Sequence, residues 1–164
     1  MKNNKPKIYT VATAHLDTSW LWTLEQTISE YLPDTIKKNS ALIEKYPEYK
    51  FNFEGSYRYE LLKEYYPEEF EKVRKYIKQG RWNPCGACYE NGDVNIPSPE
   101  ALIRNILYGN GFFNKEFSVK SNDIFLPDCF GFGKALPTLA AHSGLTGFST
   151  GKLFWGSSVH IPFD

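Results

Sequence analysis

ATAHLDTSWLW, residues 12–22, is the stretch on which the reading of the whole chain turns. It closes a strand-like run, KIYTVATA at 7–14, with an imidazole at His15, a carboxylate at Asp17 and large aromatics at Trp20 and Trp22. Side chains on a strand alternate between faces, so positions i and i+2 point the same way. If the strand continues to Asp17, His15 and Asp17 project together from its C-terminal end. In a parallel sheet curved toward a barrel, that end is where sites are built.

Strands and helices alternate outward from this point. A helix is expected after Asp34, running to about Tyr46, with Pro33 outside it and Pro47 ending it. A second strand reads at 50–55, followed by helices at about 57–66 and 67–79, split by Pro67. A third strand reads at 81–90. Ser98, Pro99 and Glu100 then start a helix to about Glu116, with an apolar stripe of Leu102, Ile103, Ile106, Leu107 and Phe113. A fourth strand, DIFLPD at 123–128, leads through CFGFG to a helix at about 134–142, and a fifth strand reads at 146–154. Five strands separated by helices predict an α/β fold with a parallel sheet and flanking helices.

Composition narrows the function classes. The chain has 164 residues, enough for one domain with a sizeable core, and its 19 basic and 19 acidic side chains cancel. No net field draws it to nucleic acid or anionic lipid. The basic run at 71–81 follows an acidic run on the same helix and reads as a solvated face. No apolar run is long enough to span a bilayer, and MKNNKPK lacks a signal-peptide core. Neither nucleic acid nor membrane is therefore expected as a partner, and a cytoplasmic location follows if Met1 is the natural start. Cys85, Cys88 and Cys129 suggest no disulfide framework. The C-x-x-C of Cys85 and Cys88 reads as two semi-buried thiols ahead of any redox or metal role.

The chemistry lies at the strand ends. An imidazole nitrogen beside a carboxylate oxygen suits zinc. The plainer alternative for H-x-D is a histidine bonded to its neighbouring aspartate. Asp128 closes another strand beside Pro127, and Gly131 and Gly133 allow a tight turn after it. Alone it could be a loop acid or a helix cap. Two such motifs at equivalent strand ends bring three potential ligands to one rim. Glu54, Glu90 and Asp93 also fall near strand ends. Glu54 is the best placed of them, with a structural hydrogen bond as an equal reading.

Taken in order, AHLDTSWLW at 14–22, EKYPEYKFNFE at 44–54, GRWNPCGACYENGDVNIPSPEALIRN at 80–105, LPDCFGFGKALP at 126–137 and TGKLFW at 150–155 resemble the zinc-dependent α-mannosidases of glycoside hydrolase family 38. The resemblance implies that His15 and Asp17 ligate zinc, and that Asp128 is both a zinc ligand and the catalytic nucleophile. It implies that Trp20 and Phe130 shape the pocket around bound mannose and that Lys152 stands at the rim. The fold it implies is a seven-stranded β/α barrel, of which residues 1–164 would be the N-terminal portion, cut before closure. The fourth ligand, a histidine, and the acid/base aspartate would then come from later strands. The implied substrate is an α-mannoside or mannose-containing oligosaccharide, and the parent protein would be a homo-oligomer. Two other readings stand beside this one: a metal-dependent carbohydrate deacetylase-like hydrolase, and a non-catalytic fragment.

Overall fold

A computed structural model describes residues 6–152. The elements are β1 (Ala12–Ala14), α1 (Leu24–Gln26), a π-helical turn (Thr27–Tyr31), α2 (Leu32–Lys45), β2 (Phe51–Glu54), α3 (Ser56–Tyr65), α4 (Pro67–Lys78), β3 (Trp82–Cys85), α5 (Pro99–Phe117), β4 (Asp123–Phe125), α6 (Leu136–His142) and β5 (Gly147–Ser149). Every strand pairing is parallel, with β1, β2 and β3 adjacent in that order and β4 paired to β5. The expected alternation of strands and helices is therefore present.

A single continuous sheet is not. Among the described residues the five strands fall into sheets of three and two, and no seven-stranded barrel forms. The third strand, expected at 81–90, stops at Cys85 because Gly86 takes a φ of 69° and turns the chain out of the ladder. The join survives in part: Ala87 N–H donates to the Asp123 carbonyl at 2.8 Å, and Gly86 N–H reaches Asp123 Oδ1 at 3.2 Å. β4 thus lies against the end of β3 without a shared ladder.

Three further expectations change. β1 is shorter than 7–14: its ladder to β2 begins at Ala12–Phe51, and Ile8 and Tyr9 ahead of it are 90% and 87% exposed. The fifth strand covers only Gly147–Ser149, and residues 153–164, which include Trp155 and His160, lie outside the described residues. The first long helix begins at Leu24, not after Asp34. Thr23 caps it, its hydroxyl accepting from Gln26 N–H at 3.2 Å while Gln26 Oε1 accepts from Thr23 N–H at 3.0 Å.

Pro33 sits inside this helical run because the π turn accommodates it. Leu32 N–H bonds the Thr27 carbonyl, five residues back. The donor that Pro33 lacks would face the Ile28 carbonyl in that register, and the Tyr66 hydroxyl fills that place at 2.8 Å.

The main core lies between β1–β3 and helices α2 to α5. Phe51, Phe53, Tyr59, Phe70, Trp82 and Phe113 are all essentially buried there. Phe51 and Trp82 meet edge-to-face at 4.7 Å, an arrangement worth about 0.5–1.5 kcal/mol beyond area burial. The polar tips are satisfied: Trp82 Nε1 donates to the Tyr59 hydroxyl at 2.9 Å, which donates to the Phe53 carbonyl at 2.8 Å. A second core joins Ile106, Ile124, Leu126, Leu136 and Leu145. α5 spans both, but not by the expected stripe. Ile106, Gly109, Phe113 and Phe117 are buried, whereas Ile103 and Leu107 are 42% and 64% exposed. No helix among the described residues is long and apolar enough to cross a membrane.

Candidate active site

The parallel register aligns the C-terminal ends of β1 and β2. Ala14 is opposite Phe53, so His15 and Glu54 are the next pair beyond the ladder. Glu54 is fully buried, and its Oε1 contacts His15 Nδ1. The other ring nitrogen, Nε2, stands 3.0 Å from Asp17 Oδ1. The strand ends at Ala14, yet alternation persists: Leu16 turns into the core while His15 and Asp17 meet on the other side. The H-x-D hydrogen bond and the Glu54 hydrogen bond are therefore both present. The Glu54 carboxylate raises the His15 pKa above its ordinary value, against a smaller opposing effect of burial.

Beneath the loop lies Arg58, 1% exposed. Gly55, at a φ of 72°, turns the chain directly from β2 into α3, which brings Arg58 back under the strand ends. Arg58 Nε donates to the Leu16 carbonyl at 2.6 Å, and Nη1 stands 2.9 Å from Glu90 Oε1. Glu90 Oε2 accepts from the Thr18 hydroxyl. The Thr18 carbonyl accepts from the Thr27 hydroxyl at 2.8 Å, which in turn accepts from Trp22 Nε1 at 2.8 Å. Residues 15–18 are thus held from below by a chain of charged and polar groups.

His15, Asp17, Asn91, Asp93, Asp128 and Phe130 line one cleft of about 250 Å³. The two motifs singled out in the sequence therefore share a cavity. Lys152 Nζ lies 2.9 Å from Asp128 Oδ1 and 4.9 Å from the centre of the Phe130 ring. Trp20 does not line the cleft as described; it is 70% exposed and meets Trp22 edge-to-face at 5.8 Å. Asp93 lines the cleft but is occupied locally. Its Oδ1 accepts from Asn95 and Ile96 N–H at 2.6 and 2.9 Å, bonds that hold its pKa below the ordinary value.

A cavity of about 490 Å³ between α5 and α6 shares no residue with this cleft. It contains no carboxylate, so the cleft is the better candidate for acid–base or metal chemistry. Of the three thiols only that of Cys129 belongs to the cleft lining. Cys85 and Cys88 are buried and unbridged, and burial pushes the Cys88 thiol up to about 12 and that of Cys129 up to about 11.

The donors at the cleft suit zinc in type: one imidazole nitrogen, with its second nitrogen on a carboxylate, and two aspartates. Among the described residues, however, no three of His, Cys, Asp and Glu stand close enough together to hold an ion. His15 and Asp17 are side by side, and Asp128 faces the same cleft while paired to Lys152. The sequence did not reveal Arg58, Thr18 or Asn91. Arg58 lies in YRYE, which reads as helix surface. The one local signal was the glycine between β2 and α3.

The family described as glycosyl hydrolases family 38 N-terminal domain matches residues 5–164. Alpha-mannosidase G of Dictyostelium discoideum is 35% identical over 159 residues, 97% of this chain and 14% of that protein. An alpha-mannosidase of Saccharomyces cerevisiae is 35% identical over 156 residues, 94% of this chain and 14% of its own length. The chain thus spans about one-seventh of these relatives. The crystal structure of an alpha-mannosidase from Enterococcus faecalis V583 shares the fold, with a TM-score of 0.77 at 23% identity, over 85% of this chain and 16% of that one.

Proposed function

The chain belongs to glycosyl hydrolase family 38, and from that premise we propose that the protein carrying it hydrolyses terminal α-mannosides with retention, using Asp128 as nucleophile and zinc held by His15, Asp17 and Asp128. The observation that carries this reading is the shared cleft: the H-x-D motif after β1 and Asp128 after β4 line the same cavity. In this reading the five strands are the first part of a β/α barrel. The acid/base carboxyl and a further histidine ligand come from outside these 164 residues.

Each residue has a defined task. Asp128, 38% exposed at the cleft, attacks the anomeric carbon, forming the bond to the sugar as the glycosidic oxygen departs. Lys152 supplies the neighbouring positive charge. Phe130, exposed beside them, offers an apolar face to the sugar ring. His15 and Asp17 would hold the metal with Asp128. When bound, zinc would orient the mannose hydroxyls and stabilise charge in the transition state.

The test uses the intact protein and an aryl α-mannoside. Asp128→Ala should fold normally and lose turnover by roughly four orders of magnitude. A fluorosugar substrate should label the peptide that contains Asp128. Near-normal rates in the variant, or a label elsewhere, would refute the assignment.

A further inference from the structure

We propose that Glu54 is a positioning residue for His15: it grips the imidazole through Nδ1 and so reserves Nε2 for the cleft. This role rests on the metal-binding reading given above. Glu54 is 0% exposed and does not line the cleft, so it acts through His15 and not on substrate.

Three observations carry the assignment. The first is register. The ladder pair Ala14–Phe53 makes His15 and Glu54 neighbours at the aligned ends of β1 and β2, so the contact is set by the backbone. The second is hydrogen-bond capacity. An imidazole has two ring nitrogens, and the Glu54 contact occupies Nδ1, which leaves Nε2 as the nitrogen turned toward Asp17 and the cleft. That nitrogen stands 3.0 Å from Asp17 Oδ1, with both residues on the cleft wall. The third is the absence of another task. Glu54 Oε2 is buried without a hydrogen-bond partner, and the nearby guanidinium of Arg58 is directed to Leu16 and Glu90. Burying a carboxylate is costly, and among the described residues the His15 side chain bonds to it.

The backbone on both sides is pinned. Arg58 holds the Leu16 carbonyl, and the turn at Gly55 starts α3 directly after Glu54. The imidazole therefore has little freedom to rotate away, and its orientation depends on the carboxylate behind it.

The experiment strips metal from the intact protein and compares it with Glu54→Gln. Zinc affinity is read by competition with a chromophoric chelator, the ligand field by the visible spectrum of the cobalt(II)-loaded protein, and the fold by circular dichroism. We expect a folded variant with about 10–100-fold weaker zinc binding and shifted cobalt bands. Unchanged affinity and bands in a folded variant overturn the role of Glu54 and leave the metal site standing. Absence of metal uptake by the unmodified protein overturns the metal reading and this role with it. If Glu54→Gln does not fold, Glu54→Asp keeps the buried charge but withdraws it by one methylene. It should show the same weakening, and full affinity in that variant overturns the proposal.

Discussion

Lys152 Nζ stands 2.9 Å from Asp128 Oδ1, joining the segment after β5 to the loop after β4. Both side chains are partly exposed, so the pair contributes little to folding. Lys152→Ala is expected to change stability by less than about 1 kcal/mol. If the ammonium serves the reacting carboxylate, kcat/KM on an aryl α-mannoside should fall about tenfold or more, equivalent to roughly 1.4 kcal/mol. Lys152→Arg should recover part of it. Paired urea titrations and steady-state kinetics separate the two effects, and unchanged kinetics in Lys152→Ala would remove Lys152 from the site.

Arg58 behaves in the opposite way, because it is buried and engaged at both ends. Arg58→Met leaves the Leu16 carbonyl without its side-chain donor and the Glu90 carboxylate without its cationic partner. The expected loss is about 3 kcal/mol, the lower part of the range for a broken buried pair, since Glu90 retains some solvent. Arg58→Lys should not restore it, because one ammonium cannot reach both partners. The shift of the urea midpoint at constant slope measures this.

α5 offers a matched pair of glycines. At Gly109 an added Cβ would lie 2.1 Å from the Ala87 carbonyl oxygen and 2.5 Å from Tyr89 N, whereas at Gly111 nothing stands within 4 Å. Gly109→Ala should destabilise by about 3 kcal/mol, the upper end for overpacking. Gly111→Ala should stabilise by about 0.5–1 kcal/mol through helix propensity. Opposite shifts in thermal midpoint are expected, and equal shifts would contradict the close approach of α5 to residues 87–89.

Glu116 provides a test by pH. Lys63 Nζ lies 2.8 Å from its Oε1 and Arg74 approaches Oε2, and the Lys63 bond leads the interactions that hold its pKa below 4.5 against the cost of burial. A lowered folded pKa stabilises the protein above the unfolded value and loses that contribution as pH falls through the folded one. Glu116→Gln should therefore cost on the order of 1–2 kcal/mol at pH 7. The gap should close in acid, below the lowered pKa. A gap that persists there would mean the effect is steric.

Much of the outline is legible in local sequence. Pro67 marks the break between α3 and α4, and Ser98 caps α5, its hydroxyl accepting from Ala101 N–H at 3.2 Å. His15, Asp17 and Asp128 were identified by residue type and strand-end position, and the structure brings them to one cleft. The same reasoning missed the cap at Thr23, because Pro33 reads locally as a helix stop. A π turn and the Tyr66 hydroxyl remove that penalty, and Tyr66 lies too far along the chain to enter a local reading. Ile103 and Leu107 fit the apolar stripe of α5 but sit outside its buried face. Periodicity identifies an apolar side without saying how wide a strip its neighbours cover.

The sequence by itself determined the order of strands and helices and the residues able to do chemistry, because caps, prolines, glycines and side-chain alternation act over a few residues. Only the tertiary structure decided which charges are buried and what they face. Glu54 lies behind His15 because β1 and β2 pair in parallel at a particular register, and Arg58 lies under Leu16 because Gly55 folds α3 back beneath the strand ends. Those contacts join segments that are remote in the chain. Their burial is a property of the packed sheet and helices, so no single stretch encodes it.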